Sequence, residues 1–380
     1  MDFGLAWTIL PLALAFGLGW LASRIDRWQT GREPREAPRA YFKGLTFLLN
    51  EQQDKAIDSF IEAVRLDPQT VELQFALGNL FRRRGEYERS VRVHQSLVER
   101  ADLPAAERER AQYELACDFL KAGLLDRAEQ AFAQLTKGHY APEALQSQLQ
   151  IAERTKDWPA AIEAAAALEQ RGAGAYGRWA AQYRCELAEA AHARGQHDEA
   201  QAQLDAALAA HAGCVRAVLL RGDWQAAAGQ WADAVATWLT VDAVAPEFLP
   251  LAAQRLARVP SDVAQRCQVR ERLAQWLERQ PGSDVLEARI AQARDDDDRR
   301  AVSEGYLARH QTLAAARRAL ALSPSSAPVQ QAALAAIDQA LLTRQRFRCA
   351  SCGFEVRQYF WQCPGCMGWE TYPPRRMEEQ

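Results

Sequence analysis

The chain lacks the residue arrangements on which most catalytic sites are built. Its 380 residues contain no glycine-rich phosphate loop, no Gly-x-Ser-x-Gly elbow and no His-Glu-x-x-His helix. The six histidines are dispersed; His192 and His197, five apart, are expected to flank the turn of a helical hairpin rather than to ligate a metal. No candidate nucleophile has a base beside it, so a non-enzymatic protein is expected. A formal net charge of −3 leaves no global basic field, which argues against a nucleic-acid partner. Charge is also missing locally: residues 3–23 carry none of either sign, and no Lys or Arg precedes Arg24.

That uncharged stretch is long enough to matter. At 1.5 Å per residue it makes roughly 31 Å of helix, enough to cross a bilayer. Trp7 and Trp20 lie near its ends, as interfacial aromatics do, and Pro11 and Gly17 are tolerated in such helices. A cleaved signal peptide would begin with basic residues and leave through a small-x-small site; this chain begins Met1-Asp2 and leaves through Leu21-Ala22-Ser23-Arg24. Residues 1–23 are therefore read as a single-pass anchor. Arg24, Arg27, Arg32, Arg35 and Arg39 follow it, which places the body on the cytoplasmic side. Residues 24–36, with Pro34 and then Pro38 beyond, read as a partly extended tether.

Cysteine is scarce but patterned. Cys117, Cys185, Cys214 and Cys267 are scattered singly and read as reduced, small apolar residues at helix contacts. The other four form two Cys-x-x-Cys knuckles, Cys349/Cys352 and Cys363/Cys366, separated by ten residues. Four thiolates so spaced supply the all-sulfur tetrahedron that zinc or iron accepts, and paired disulfides are disfavoured in a reducing compartment. The module, residues 345–374, is too short to bury a core of its own, so one structural metal ion is expected to hold it folded. Phe347, Phe354, Tyr359, Phe360, Trp361 and Trp369 are expected to cover the sulfurs. Cys-x-x-Cys-Gly followed by Cys-Pro-x-Cys resembles a shortened rubredoxin or zinc ribbon, departing from it where Met367 separates Cys366 from Gly368.

Between tether and knuckles the sequence repeats with a period of 34. Gly44, Phe47, Ala56, Phe60, Ala63 and Pro68 alternate small and large residues at offsets that resemble a tetratricopeptide repeat. Leu77, Gly78, Phe81 and Gly85 continue the pattern, then Leu115, Ala116, Phe119, Gly123, Ala128 and Phe132. A degenerate fourth unit and a joint at Gly172, Gly174 and Gly177 precede two more in register, where Gly195/Gly229 and Ala200/Ala234 are each 34 apart. About six repeats are assigned to residues 37–247, and degenerate helical hairpins to 248–344. Asp295 to Asp298 reads as a solvated helix start. The fold class is thus all-α: anchor, helical-repeat solenoid and four-cysteine module. Counting from unit starts at Ala37, Val71 and Glu109, the groove-facing residues would be Tyr41, Leu45, Phe75, Asn79, Arg82 and Tyr113, a surface for a protein segment.

This order of parts resembles the lipopolysaccharide assembly protein B family of Gram-negative bacteria, along the whole chain. Its most specific residues are Cys349, Cys352, Gly353, Phe354, Trp361, Cys363, Pro364 and Cys366, with the repeat from Tyr41 to Pro68 beside the anchor. The resemblance implies an inner-membrane adaptor, its N-terminus periplasmic, that works with the membrane-bound AAA+ protease FtsH to promote degradation of the LpxC deacetylase and so regulates lipopolysaccharide synthesis. Two rivals stand beside it: a general scaffold recruiting other lipopolysaccharide-assembly membrane proteins, and a rubredoxin-type electron carrier. The choice of iron or zinc, and whether the chain forms a homo-oligomer, stay open at this stage.

Overall fold

The computed structural model describes Leu18, Trp20 and residues 33–67, 69–323 and 328–379. All of the expected anchor except Leu18 and Trp20, most of the tether, and Pro68 fall outside these residues. Among the described residues no helix is long and apolar enough to cross a membrane. The described residues are almost entirely helical, and the chain divides into two compact units, Met1–Lys156 and Asp157–Gln380.

The first unit contains α1 (Glu33–Leu49), α2 (Gln53–Leu66), α3 (Val71–Arg84), α4 (Tyr87–Glu99), α5 (Ala105–Lys121), α6 (Leu125–Ala133) and α7 (Ala141–Thr155). Helix α1 starts inside the stretch expected to be tether. Pro34 takes its first turn, where a missing N–H breaks no helical bond. Small residues set the approach of paired helices. A Cβ placed on Gly44 would lie 2.9 Å from the Phe60 ring, and one on Gly78 would lie 2.4 Å from the His94 ring. Ala116 and Phe132, at the same offset, share the next core cluster. Gly85 ends α3 with φ +83°, a left-handed turn that lets the chain reverse at once into α4.

The second unit runs through α8 (Trp158–Gln170), α9 (Gly177–Ala193), α10 (His197–Ala210), α11 (Val215–Ala227), α12 (Trp231–Leu239), α13 (Val241–Val244) and α14 (Leu249–Leu256). It continues with α15 (Arg266–Arg279), α16 (Ser283–Ala291), α17 (Asp296–Arg309), α18 (Leu313–Leu322) and α19 (Pro328–Thr343). A short antiparallel hairpin follows, β1 (Phe347–Arg348) and β2 (Glu355–Val356), with Phe347 opposite Val356. Gly222 repeats the small-against-large rule, because a Cβ there would lie 2.3 Å from the Trp238 indole. Trp238, Leu256, Trp276 and Ala288 belong to one buried cluster, so the divergent helices share a core with the regular repeats.

Local details follow the same physics. Asp295 caps α17 by accepting from the Asp298 amide at 2.8 Å, and Asp298 pairs with Arg289 at 2.7 Å. His192 and His197 do flank a hairpin turn, and the His192 ring stacks on Trp224 at 4.2 Å. Among the scattered cysteines, all reduced, the expected helix contact is made by buried Cys185 and Cys214 and fails at Cys267. Cys185 and Cys214 are both buried with Sγ atoms 3.8 Å apart, a pairing made by the fold rather than by spacing, whereas Cys267 is exposed and makes no core contact of the kind expected.

Candidate metal centre

Two matching turns present the cysteines. In the first knuckle the Gly353 amide donates to the Cys349 carbonyl at 2.9 Å, with Gly353 at φ +77°. In the second the Met367 amide donates to the Cys363 carbonyl at 2.8 Å, with Met367 at φ +60°. Met367 therefore stands where the first turn has its glycine, in a conformation that costs a side-chain-bearing residue roughly 1–2 kcal/mol. The departure from the ribbon pattern is a strained copy of the same turn.

These turns bring all four Sγ atoms within 4.8 Å of one another. Cys349 and Cys366 are 3.8 Å apart, Cys352 and Cys363 3.7 Å. A tetrahedron with metal–sulfur bonds of about 2.3 Å has edges of about 3.8 Å, so the donor set fits a single ion. The centre can coordinate one structural metal ion, iron or zinc. Cys349 and Cys363 are buried while Cys352 and Cys366 are exposed, so one edge of the site meets solvent.

The polar surroundings favour thiolates on the buried side. Burial opposes ionisation of Cys349, but the Thr371 hydroxyl, 3.3 Å away, and the amides of Cys352 and Ser351 bring its pKa down to about 6. Cys363 is also lowered: burial opposes this, and the Tyr372 hydroxyl at 3.4 Å outweighs it. Cys352 and Cys366 go up, Cys352 to about 12, despite the amides of Phe354 and Gly368 that favour their thiolates. Four negative charges in so small a volume need a cation, which the metal would supply.

The aromatic residues divide differently from the expectation. Phe347, Tyr359 and Phe360 pack within the module with Val356 and Tyr372, a residue that sequence reasoning missed. Trp361 and Trp369 turn outward onto the helical repeats, and Phe354 is exposed. Trp361 stacks on Phe248 at 5.8 Å. Trp369 sits edge-on to Trp158 and Tyr183, each at 5.9 Å, with the Arg216 guanidinium over its ring. Glu370, beside it, pairs with Arg178 at 2.5 Å and accepts from Gln182 at 2.6 Å. A second seat lies on α16, where Asp284 accepts from Arg346 at 3.0 Å and Arg376 at 2.7 Å, and the Glu379 carboxylate accepts from the Ser283 amide. The module thus grips helices from α8 to α16 through an aromatic seat and an ionic one.

The residues expected to line a groove separate into four groups. Tyr41 and Leu45 are half-buried against the α1–α2 core. Phe75 is buried, at 1% exposure, with the Arg110 guanidinium 4.1 Å over its ring, so it is core rather than groove: its side chain fills the contact of α3 with α4 and α5. Asn79 and Arg82 come together, and Arg82 pairs with Glu114 at 2.5 Å and Asp118 at 2.9 Å. Tyr113 stacks on Tyr140 at 4.6 Å, a partner the repeat count did not supply.

Asp118, fully buried, also accepts from Ser90 at 2.6 Å and meets His94 Nδ1 at 2.6 Å. The trio has the residue types of a hydrolase but not the geometry. Ser90 bonds the carboxylate and the Gly78 carbonyl, not the imidazole, and His94 Nε2 faces Gly78. No imidazole is placed to take the serine proton, as a Ser-His-Asp triad requires. The network fastens α3, α4 and α5 together.

A family model described as rubredoxin metal binding domain matches residues 347–374, and one for the tetratricopeptide repeat matches 43–103, 113–176 and 185–245. The chain is 32% identical to lipopolysaccharide assembly protein B of Escherichia coli strain K12 over 98% of each chain. It is 26% identical to the protein of the same name from Haemophilus influenzae over 99% of each. A solved structure of MamA protein matches at 16% identity over 48% of this chain and 96% of its own, with a TM-score of 0.35. By its near-full-length likeness to the Escherichia coli protein, the chain belongs to the lipopolysaccharide assembly protein B family.

Proposed function

We propose that this protein is a non-enzymatic adaptor of the inner membrane that regulates lipopolysaccharide synthesis by promoting degradation of the LpxC deacetylase by the membrane protease FtsH. The observation that carries the reading is family membership along the whole chain, joined to a metal module seated on the repeats. In this reading residues 1–23 form a single span with the N-terminus in the periplasm and the body in the cytoplasm. A shared membrane plane raises the effective concentration of adaptor and protease. The repeats hold the deacetylase or another assembly protein, with Tyr41, Leu45, Asn79, Arg82 and Tyr113 as candidate contacts. Cys349, Cys352, Cys363 and Cys366 hold one metal ion that keeps the module, and through it the repeats, in one arrangement.

The test is recovery of FtsH and LpxC with the affinity-tagged full chain from native membranes. Both should be recovered, and deletion of residues 1–23 should lose FtsH while the soluble body stays folded. Recovery of other envelope-assembly proteins with neither of these would favour a general scaffold. A second reading, electron transfer, draws on the exposure of Cys352 and Cys366. It requires visible absorbance and a reversible potential in the native iron-loaded protein.

A further inference from the structure

Helix α1 has two apolar faces. One packs inward: Ala40 and Gly44 are buried, and Tyr41, Phe47 and Leu48 rest on the α2–α3 core. The other carries Phe42, 64% exposed, and Leu49, 85% exposed, seven residues apart and so nearly aligned along the helix. Thr46 lies between them, and its hydroxyl donates to the Phe42 carbonyl at 2.9 Å, so the stripe spends its hydroxyl hydrogen internally. Arg39 and Lys43 are exposed on the shoulder of the stripe. Paired large apolar side chains with basic flanks are the pattern of a helix that lies in a lipid–water interface.

We propose that this outer face of α1, centred on Phe42 and Leu49, rests on the anionic phospholipid surface of the membrane. The proposal builds on the reading of residues 1–23 as an anchor. Two observations select lipid over a second copy or a soluble partner. The nine residues 24–32 between the span and α1 reach at most about 30 Å when extended, so the helix is never far from the bilayer. From Arg24 to Lys43 there are six basic residues against Asp26, Glu33 and Glu36, a local excess of positive charge that anionic head groups attract. The consequence is orientation. A span alone leaves the body free to swing, whereas a second contact beside it fixes which side of the repeats faces the cytoplasm.

The experiment reconstitutes the full chain in vesicles of phosphatidylethanolamine and phosphatidylglycerol, with p-benzoylphenylalanine replacing Phe42 or Leu49, or Glu88 on α4 as control. Flotation reports the anchor, and the mass of irradiation products reports the contact. The expected result is flotation of every variant, with lipid adducts at positions 42 and 49 several-fold above position 88. In a chain that floats, adducts to protein at positions 42 and 49, or equal lipid adducts at position 88, overturn the proposal and leave the anchor standing. A chain that does not float overturns both.

Discussion

Replacing Asp284 with asparagine tests how the metal module is held without touching a metal ligand. Asp284 stands in the first turn of α16, 4% exposed, and serves both Arg346 and Arg376. The Arg346 head is 42% exposed, so its pair contributes little. Arg376 is 11% exposed; burial works against its cation, and Asp284 with Glu287 outweighs it, raising the pKa. Removing one partner of a buried pair costs about 3–5 kcal/mol when nothing replaces it. Here Glu287 remains at 3.2 Å and is itself 35% exposed, which lowers the expected cost to about 2–3 kcal/mol. If the module must leave its seat before it opens, metal transfer to a chromophoric chelator should accelerate roughly 30–150-fold, since each 1.4 kcal/mol is a factor of ten. Far-UV circular dichroism should show the helices intact, and residues 344–346 should become sensitive to protease. Release at the parent rate, with the same protease resistance, would refute the idea that this ionic seat holds the module.

Three further changes probe other links. Cys349→Ser should abolish tight metal binding and unfold the module while the repeats keep their helicity, read by metal analysis and proteolysis; a variant that retains one tightly bound ion would contradict a four-sulfur site. Gly78→Ala drives a methyl into the buried His94 ring, and overpacking of this kind should destabilise the first unit by about 1–3 kcal/mol in urea titration. The hydrogen bond from Arg289, outweighing burial, holds the Asp298 carboxyl down at about 2. A depressed carboxyl contributes stability that is present above its unfolded value near 3.9 and lost as pH falls toward 2. Asp298→Asn should therefore lower stability at neutral pH and flatten the acid limb between about pH 4 and 2; an unchanged limb would show that the pair is not linked to folding.

How far the chain can be read without coordinates depends on whether a signal is local. The 34-residue period is local, because Gly44, Gly78 and Ala116 must each be small for the helix that follows to pack. The cysteine knuckles are local too, since each is one turn of chain. What was not legible is set by contacts between distant segments. Trp369 and Glu370 look like any residues near a knuckle, yet they meet Trp158, Tyr183 and Arg178, close to two hundred positions earlier. Asp284 is an ordinary acid in a capped helix until Arg376 arrives. Phe75 has the periodicity of a groove residue, but a helix has several faces and the next hairpin covers that one. His94 stands where Phe60 and Phe132 stand in neighbouring repeats, and only the burial of Asp118 explains a polar ring there. Cys185 and Cys214 are neighbours because successive hairpins stack, which no spacing rule contains.

In the proposed function this chain delivers LpxC to FtsH. Its most direct test is the lifetime of LpxC in cells after translation is stopped, before and after depletion of this protein, with the full chain and the chain lacking residues 1–23 supplied in trans. The expected result is a lengthened lifetime on depletion, restored by the full chain and not by the truncated one. An LpxC lifetime that depletion leaves unchanged would contradict it.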